Sequence, residues 1–434
     1  MVILGSTAPR RRWLTVVLII SCNTRLFAIK PQEPPDSIPI QQLLLGPDHQ
    51  DFPWKVKLQA PILTYQQRYL VRLTTAIDRG KLMKEVSFRE LHYIVKAADE
   101  KGIWFSGQAY SHFHAPPDTT GKLEIDSYDG VIFRPGVYTI AMIVYDSVHR
   151  QSNVWRTRVK VSPVKNDPLP ALDEGIPAVY FPEDVPSADL ADVFAQQWEV
   201  MGLDHYVKEA WTLGPGVSRL TVNNAVPLAI DIVVNLSPGS YLGSEGSDTA
   251  FRENADLMLQ MASVLSGLSL TSGCVRFSAL DILRQTVLLK RSLPDIDWVD
   301  LRRTVDDIEY EKIDVQTLAV RTKGAVFLRD FLEHLSANRE GCGLQSGQFR
   351  QIIIVVSTGF SFPRGSQVPR LPAEDSARSR FYYVRPLIGP SDIWDQIGEI
   401  LHPVKPSVLR VKNSVEFRKA VAKVIAQIES HDHN

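Results

Sequence analysis

Between Phe52 and Ser162 apolar and polar positions alternate with a period of two, the spacing of half-buried strands. Residues 68–75, 91–97 and 103–110 are rich in β-branched and aromatic side chains and predict three strands. Residues 135–146 form the clearest run. Val137, Thr139, Ala141, Ile143 and Tyr145 alternate with Tyr138, Ile140, Met142 and Val144. Both faces of that strand are apolar, so it belongs in the middle of a sheet. In residues 154–161, Trp155, Thr157, Val159 and Val161 share one face while Arg156, Arg158 and Lys160 share the other. Short strands separated by turn signals predict an all-β sandwich of immunoglobulin-like type over residues 51–163. Six prolines between Pro163 and Pro186 mark a break. Residues 164–212 are therefore read as a Pro-rich linker with a short helical segment near 188–211.

After Val226 the pattern changes. Residues 228–235 are almost continuously apolar, as in a strand buried on both faces. Residues 250–268 have helical periodicity behind a capping Asp248-Thr249. Strands follow at 275–280, 285–289, 351–357, 379–384 and 407–411. Helices are predicted at 297–308, 317–335, 393–400 and 414–428. Strands alternating with helices imply a doubly wound α/β unit over residues 213–430, with a mostly parallel sheet.

Such sheets bind ligands beyond the carboxyl ends of strands, where strand order reverses. The loops to inspect follow Val234 and Val356. The first reads Asn235-Leu236-Ser237-Pro238-Gly239-Ser240 and the second Ser357-Thr358-Gly359-Phe360; Asp314-Val315-Gln316-Thr317 precedes a helix. On element order, residues 226–428 resemble the von Willebrand factor A domain. With a β-sandwich ahead of it, the layout is similar to exported bacterial "VWFA-related" proteins of unknown function. The resemblance implies a divalent-metal site built from an Asp-x-Ser-x-Ser loop, a Thr from a later loop and a Thr-Asp-Gly. Asn235 stands at the Asp, Ser237 at the first Ser and Gly239 at the second. Thr317 is the candidate Thr, and Ser357, Thr358 and Gly359 replace Thr-Asp-Gly. Both carboxylates are gone. Hard dications want charged oxygen ligands, so the site is expected to be degenerate, with no metal and no cofactor. Asn235, Ser237, Thr317, Ser357 and Thr358 then remain as a hydroxyl-lined surface for a protein partner. A partner's carboxylate completing the site is the alternative.

Composition adds little to this and excludes some classes. Apolar residues make up 44% of the 434, charged residues 22%, and the net charge is −1. No basic stripe points to nucleic acid. Arg10-Arg11-Arg12, the apolar run 13–20 and the small residues to Ala28 make a signal peptide over 1–28, followed by a tether at 29–50. The protein is thus expected to be exported, periplasmic or secreted. Ile19-Ile20-Ser21-Cys22 resembles a lipobox, so lipidation at Cys22 would be the one route to a membrane. Cys274 and Cys342 fit either a disulfide or two buried thiols.

Other clusters point less clearly to chemistry. His112-Phe113-His114 places two imidazoles on one strand face without an obvious third ligand. Asp126-Ser127-Tyr128-Asp129-Gly130 lacks the rest of a calcium loop. The expected function is non-enzymatic binding or assembly. A hydrolase bringing His205 to Ser237 or Ser357, and a purely structural envelope scaffold, are the alternatives.

Overall fold

The computed structural model describes residues 34–78, 82, 89–115, 124–169, 178–181, 220–237, 247–292, 296, 301, 304–305, 323–337, 349–362, 368–375, 379–387 and 395–430. The signal-peptide and lipidation readings, Thr317, His205 and the helical segment near 188–211 lie outside these residues, and of the helix expected at 297–308 only Leu301, Thr304 and Val305 are described, all helical. Of the described residues 43% are strand and 25% helix, with five α-helices. The doubly wound α/β class expected from the alternation of strands and helices, and with it the von Willebrand factor A architecture, is therefore corrected: the described residues are mainly β. Apolar runs of five to eight residues carry the same sequence signal whether or not a helix lies between them, so their number overstated the helical alternation.

Strands β1 (His49–Gln50), β2 (Trp54–Leu58), β3 (Ile62–Leu63), β4 (Tyr69–Asp78), β5 (Arg89–Ala98), β6 (Ala109–Ala115), β7 (Glu124–Phe133), β8 (Gly136–Asp146), β9 (Gln151–Val161) and β10 (Val179–Tyr180) build two antiparallel sheets. Their orders are β1-β9-β8-β5-β6 and β10-β7-β4-β2, with β3 added on β4. One core joins them: Val71, Leu73 and Phe133 of one sheet pack with Tyr93, Val95, Ile140 and Met142 of the other.

The outer face of β5, β8 and β9 is apolar as well, through Ile94, Ala141, Ile143 and Val154. Helix α1 (Ile40–Leu45) lies in the segment that covers it, with Ile38 and Leu44 buried there. Residues 34–50, expected to belong to a tether, are thus part of the sandwich. A central strand with two apolar faces needs a second cover, and this segment provides it. Polar contacts hold the segment down. Asn153 accepts from Asp51 N–H (2.8 Å) and Phe52 N–H (3.1 Å) and donates to the Phe52 carbonyl (2.7 Å). Arg156 donates to the Leu43 and Leu44 carbonyls at the helix end.

The strand expected at 103–110 starts only at Ala109. Asp99 Oδ1 accepts from Lys101 and Ile103 N–H, and Gly102 turns the chain at φ +82°, so the apolar 103–107 stretch is a loop.

The second unit contains β11 (Leu220–Val222), β12 (Leu228–Asn235), β13 (Leu268–Leu270), β14 (Gly273–Asp281), β15 (Thr286–Ser292), β16 (Arg350–Val356), β17 (Ser379–Pro386) and β18 (Ser407–Val411). β11 and β13 form a parallel pair. The other six form one mixed sheet in the order β15-β14-β12-β16-β17-β18, with β14 and β15 antiparallel. Gly273 is required at the entry to β14: at φ +122° a Cβ would lie 1.9 Å from the Leu228 carbonyl oxygen.

Helices α2 (Ser247–Ser266), α3 (Gly324–Ala337), α4 (Gln396–Leu401) and α5 (Ser414–Ser430) accompany the sheet. Ile230, Ile232 and Val234 pack with Met258 and Leu265 of α2 and with Phe417 and Val421 of α5. Val233, Ile353 and Val355 pack with Leu328 of α3 and Ile400 of α4. Asn413 caps α5 by accepting from Glu416 N–H at 2.9 Å. Cys274 is disulfide-bonded; Cys22 and Cys342 both lie outside the described residues. No helix among the described residues is long and apolar enough to cross a membrane.

Candidate functional site

β12 lies between β14 and β16, so its carboxyl end is where strand order reverses. The sequence-predicted residues there are brought together but turned inward. Asn235, Ser237, Ser357 and Thr358 are all buried. Asn235 Nδ2 donates to Ser357 Oγ at 3.0 Å, and Asn235 Oδ1 accepts from Ser237 N–H at 3.0 Å. Ser357 Oγ donates to the Thr358 carbonyl at 2.9 Å.

Ser237 Oγ is a junction. It donates to Asp281 Oδ1 (3.0 Å) and accepts from the N–H groups of Ile282 (2.6 Å) and Leu283 (3.3 Å). Asp281, fully buried at the end of β14, also accepts from Arg284. Tyr383 closes the cluster from β17, its single hydroxyl proton shared between Asp395 Oδ1 at 3.0 Å and the more distant Thr358 carbonyl at 3.4 Å. Burial, reinforced by Asp395, pushes its phenol well above the ordinary tyrosine range, so the hydroxyl remains a donor.

These contacts make a latch tying together four neighbouring strands, β12, β14, β16 and β17. The expected hydroxyl-lined contact surface is corrected to an interior network at these four residues. Their oxygens already accept or donate within the fold, and the neighbouring Asp281 carboxylate is held by Ser237 and Arg284. That donor set does not fit a hard dication. Asp281 was not singled out in the sequence because it follows an apolar strand with no motif around it. Ser237→Ala is expected to destabilise the protein by about 2 kcal/mol, because buried N–H groups and a carboxylate oxygen lose their partner. Urea unfolding measures this; wild-type stability would show that the latch rearranges without cost.

A second polar cluster lies on the outer face of the sandwich. β5 and β6 are antiparallel with His92 directly opposite His112, and Glu90 is two residues from His92 on the same face. The imidazoles stack at 4.7 Å between centroids. His112 Nε2 lies 3.0 Å from Glu90 Oε1, Ser147 Oγ donates to Glu90 Oε2 at 2.5 Å, and His92 Nδ1 is 2.9 Å from the Tyr110 hydroxyl. The Ser147 hydroxyl holds the Glu90 carboxyl below its ordinary range against partial burial, aided by His112 and His92. Burial pushes the Tyr110 phenol up, and the Glu90 charge adds to this. The sequence offered His112 as a ligand without a third partner. The missing groups come from the neighbouring strand, through a register that no local pattern announces.

A groove of about 390 Å³ runs along α3, lined by Val326, Phe327, Phe331, Lys323 and His334.

No family model matches the sequence. No curated protein matches it either. Among solved structures the chain is similar to proximal thread matrix protein 1 from the mussel byssus, with 11% identity, 48% of each chain covered and a TM-score of 0.25. It is also similar to a glycosyl hydrolase family 2 member from Bacteroides cellulosilyticus, with 6% identity, 77% of this chain and 39% of that one covered, and a TM-score of 0.18. A family 123 glycoside hydrolase from Clostridium perfringens is similar at 10% identity, covering 77% of this chain and 67% of that one, with a TM-score of 0.21. The chain spans about half the length of the mussel protein. Scores this low carry no argument about function, and the neighbours do not indicate an A-type domain.

Proposed function

We propose that this is an exported, non-enzymatic assembly protein that holds a protein partner against a composite surface of its two units. The junction between the units carries the reading. The turn between β3 and β4 docks on the first turn of α5: Ser414 Oγ donates to the Leu63 carbonyl (2.6 Å), and Gln67 Nε2 donates to the Ser414 carbonyl (3.2 Å). Arg418 pairs with Asp167 and donates to Gln67 Oε1 at 3.2 Å. Tyr65 meets Phe417 at 6.1 Å between ring centroids. Gln67 is buried at φ +64°, a strained conformation for a non-glycine residue, offset here by a side chain that bridges both units. Contacts between domains ordinarily allow relative motion unless large or tightly built. An ion pair with a buried guanidinium and three further polar bonds fix the spacing, which suits a scaffold. The Cys274 disulfide supports an oxidising compartment.

Cross-linking of full-length protein in cell-envelope extracts tests the reading. A partner is expected to cross-link both to exposed Lys57 or Lys160 of the sandwich and to exposed Lys405, Lys412 or Lys423 of the second unit. Cross-links confined to one unit would sink the composite surface. Turnover of simple esters, lost on Ser237→Ala with the fold intact, would favour the hydrolase reading instead.

A further inference from the structure

We propose that Glu90, His92 and His112 form a zinc site on the outer face of the sandwich, at the edge strand β6. One nitrogen of each imidazole and one carboxylate oxygen already lie within 4.8 Å of one another. Around a tetrahedral Zn²⁺ with bonds of about 2.1 Å, ligand atoms sit roughly 3.4 Å apart. The 3.0 Å His112–Glu90 contact is close to that spacing, and His92, directly opposite His112 and stacked on it at 21° between planes, has to turn out of the stack to direct its nitrogen at the ion.

The set suits zinc. Two neutral imidazoles, borderline ligands, outnumber the one hard carboxylate, and that balance favours zinc over magnesium or calcium. Three protein ligands leave the fourth position for water, the arrangement of open zinc sites.

The surroundings are also those of a built site. While the Tyr110 hydroxyl holds Nδ1 of His92, that ring can ligate only through Nε2. While Ser147 holds Oε2 of Glu90, Oε1 is the oxygen presented to a metal. Hydrogen bonds from a second layer that orient ligands in this way are a regular part of metal sites. His92 is anchored in the sheet at 2% exposure, whereas the side chains of His112 and Glu90 are 19% and 31% exposed, so an ion can reach them. An ordinary His–Glu ion pair explains the His112 contact. It leaves unexplained a buried second imidazole stacked on the pair and fixed by a tyrosine. The inference stands apart from the scaffold reading, since no part of it uses the junction.

The test is a titration of the metal-stripped full-length protein with ZnCl₂ near neutral pH, in competition with a micromolar chelating dye, followed by Co²⁺ absorption spectroscopy. One equivalent is expected to bind and to give a tetrahedral Co²⁺ spectrum. Glu90→Gln and His112→Asn, both partly exposed and checked for folding by circular dichroism, should each weaken binding at least tenfold. Tyr110→Phe should weaken it about tenfold, in the range seen for loss of a ligand-orienting hydrogen bond. Failure to compete with the dye would overturn the site. So would wild-type affinity in the Glu90→Gln/His112→Asn double variant.

Discussion

Arg418→Ala is expected to destabilise the protein by about 3 kcal/mol and to split one cooperative unfolding transition into two. The guanidinium is almost fully buried, with side-chain exposures of 6% for Arg418 and 29% for Asp167. Breaking a fully buried pair from one side costs roughly 3–5 kcal/mol, since the remaining charge is stranded. Asp167 is itself exposed, so the cost here comes mainly from the lost packing and hydrogen bonds of the buried Arg418 side chain, which places it at the lower end. Removing Arg418 also takes the donor from Gln67 Oε1, so the positive-φ turn keeps its strain while one bond that offsets it disappears. The change falls at the seam between two cores, so the sandwich and the sheet unit should then melt separately. Denaturant unfolding followed by tryptophan fluorescence and by far-UV circular dichroism checks this. Coincident curves with an unchanged midpoint would show that the junction does not couple the units.

How much of this was legible in the sequence depends on whether the governing signal is local. The apolar run at residues 228–235 gave strand β12 with the same bounds, because a strand buried on both faces has no polar position to blur it. The same holds for β18 at 407–411, and helix α5 began at the expected residue behind its Asn413 cap. The fold class failed for a different reason. The long apolar strands of the second unit were readable, whereas β2, β7 and the short pairing strands were not; the share of chain given to helix was inferred from alternation, and strand dominates the described residues. The segment at 34–50 looked like a tether because its Pro- and Gln-rich composition hides the few apolar anchors, Ile38 and Leu44, that seat it.

At the strand ends the positions were identified, but the direction of the side chains was not. Ser237 has the same sequence context whether its hydroxyl faces a partner or Asp281, which is 44 residues away. The Glu90–His92–His112 cluster shows the same limit. It exists only through the β5–β6 register, and register follows from packing and turn geometry rather than composition.

Asp231 brings the largest expected effect, because it anchors a polar chain running across four strands beneath the latch. The carboxylate is buried on β12 and accepts a bidentate pair from Arg276 of β14, both bonds at 2.6 Å. Gln351 of β16 donates to it at 2.8 Å and to the Leu335 carbonyl at 2.8 Å. Ser379 of β17 donates to Gln351 Oε1 at 2.7 Å, and Ser336 of α3 meets Ser379 at 3.2 Å. Asp231→Ala would strand a guanidinium that is only 16% exposed and leave the Gln351 amide with one acceptor fewer. A loss of about 4 kcal/mol is expected, in the range for removing one partner of a buried pair. Asp231→Leu/Arg276→Met should recover most of it, because the desolvation cost of both charges vanishes together. A double-mutant cycle by urea unfolding separates the outcomes. A coupling energy near zero would show that the pair contributes by volume alone. A double variant as unstable as Asp231→Ala would instead make the chain indispensable as a polar network, with Gln351 and Ser379 depending on the carboxylate to hold α3 on the sheet.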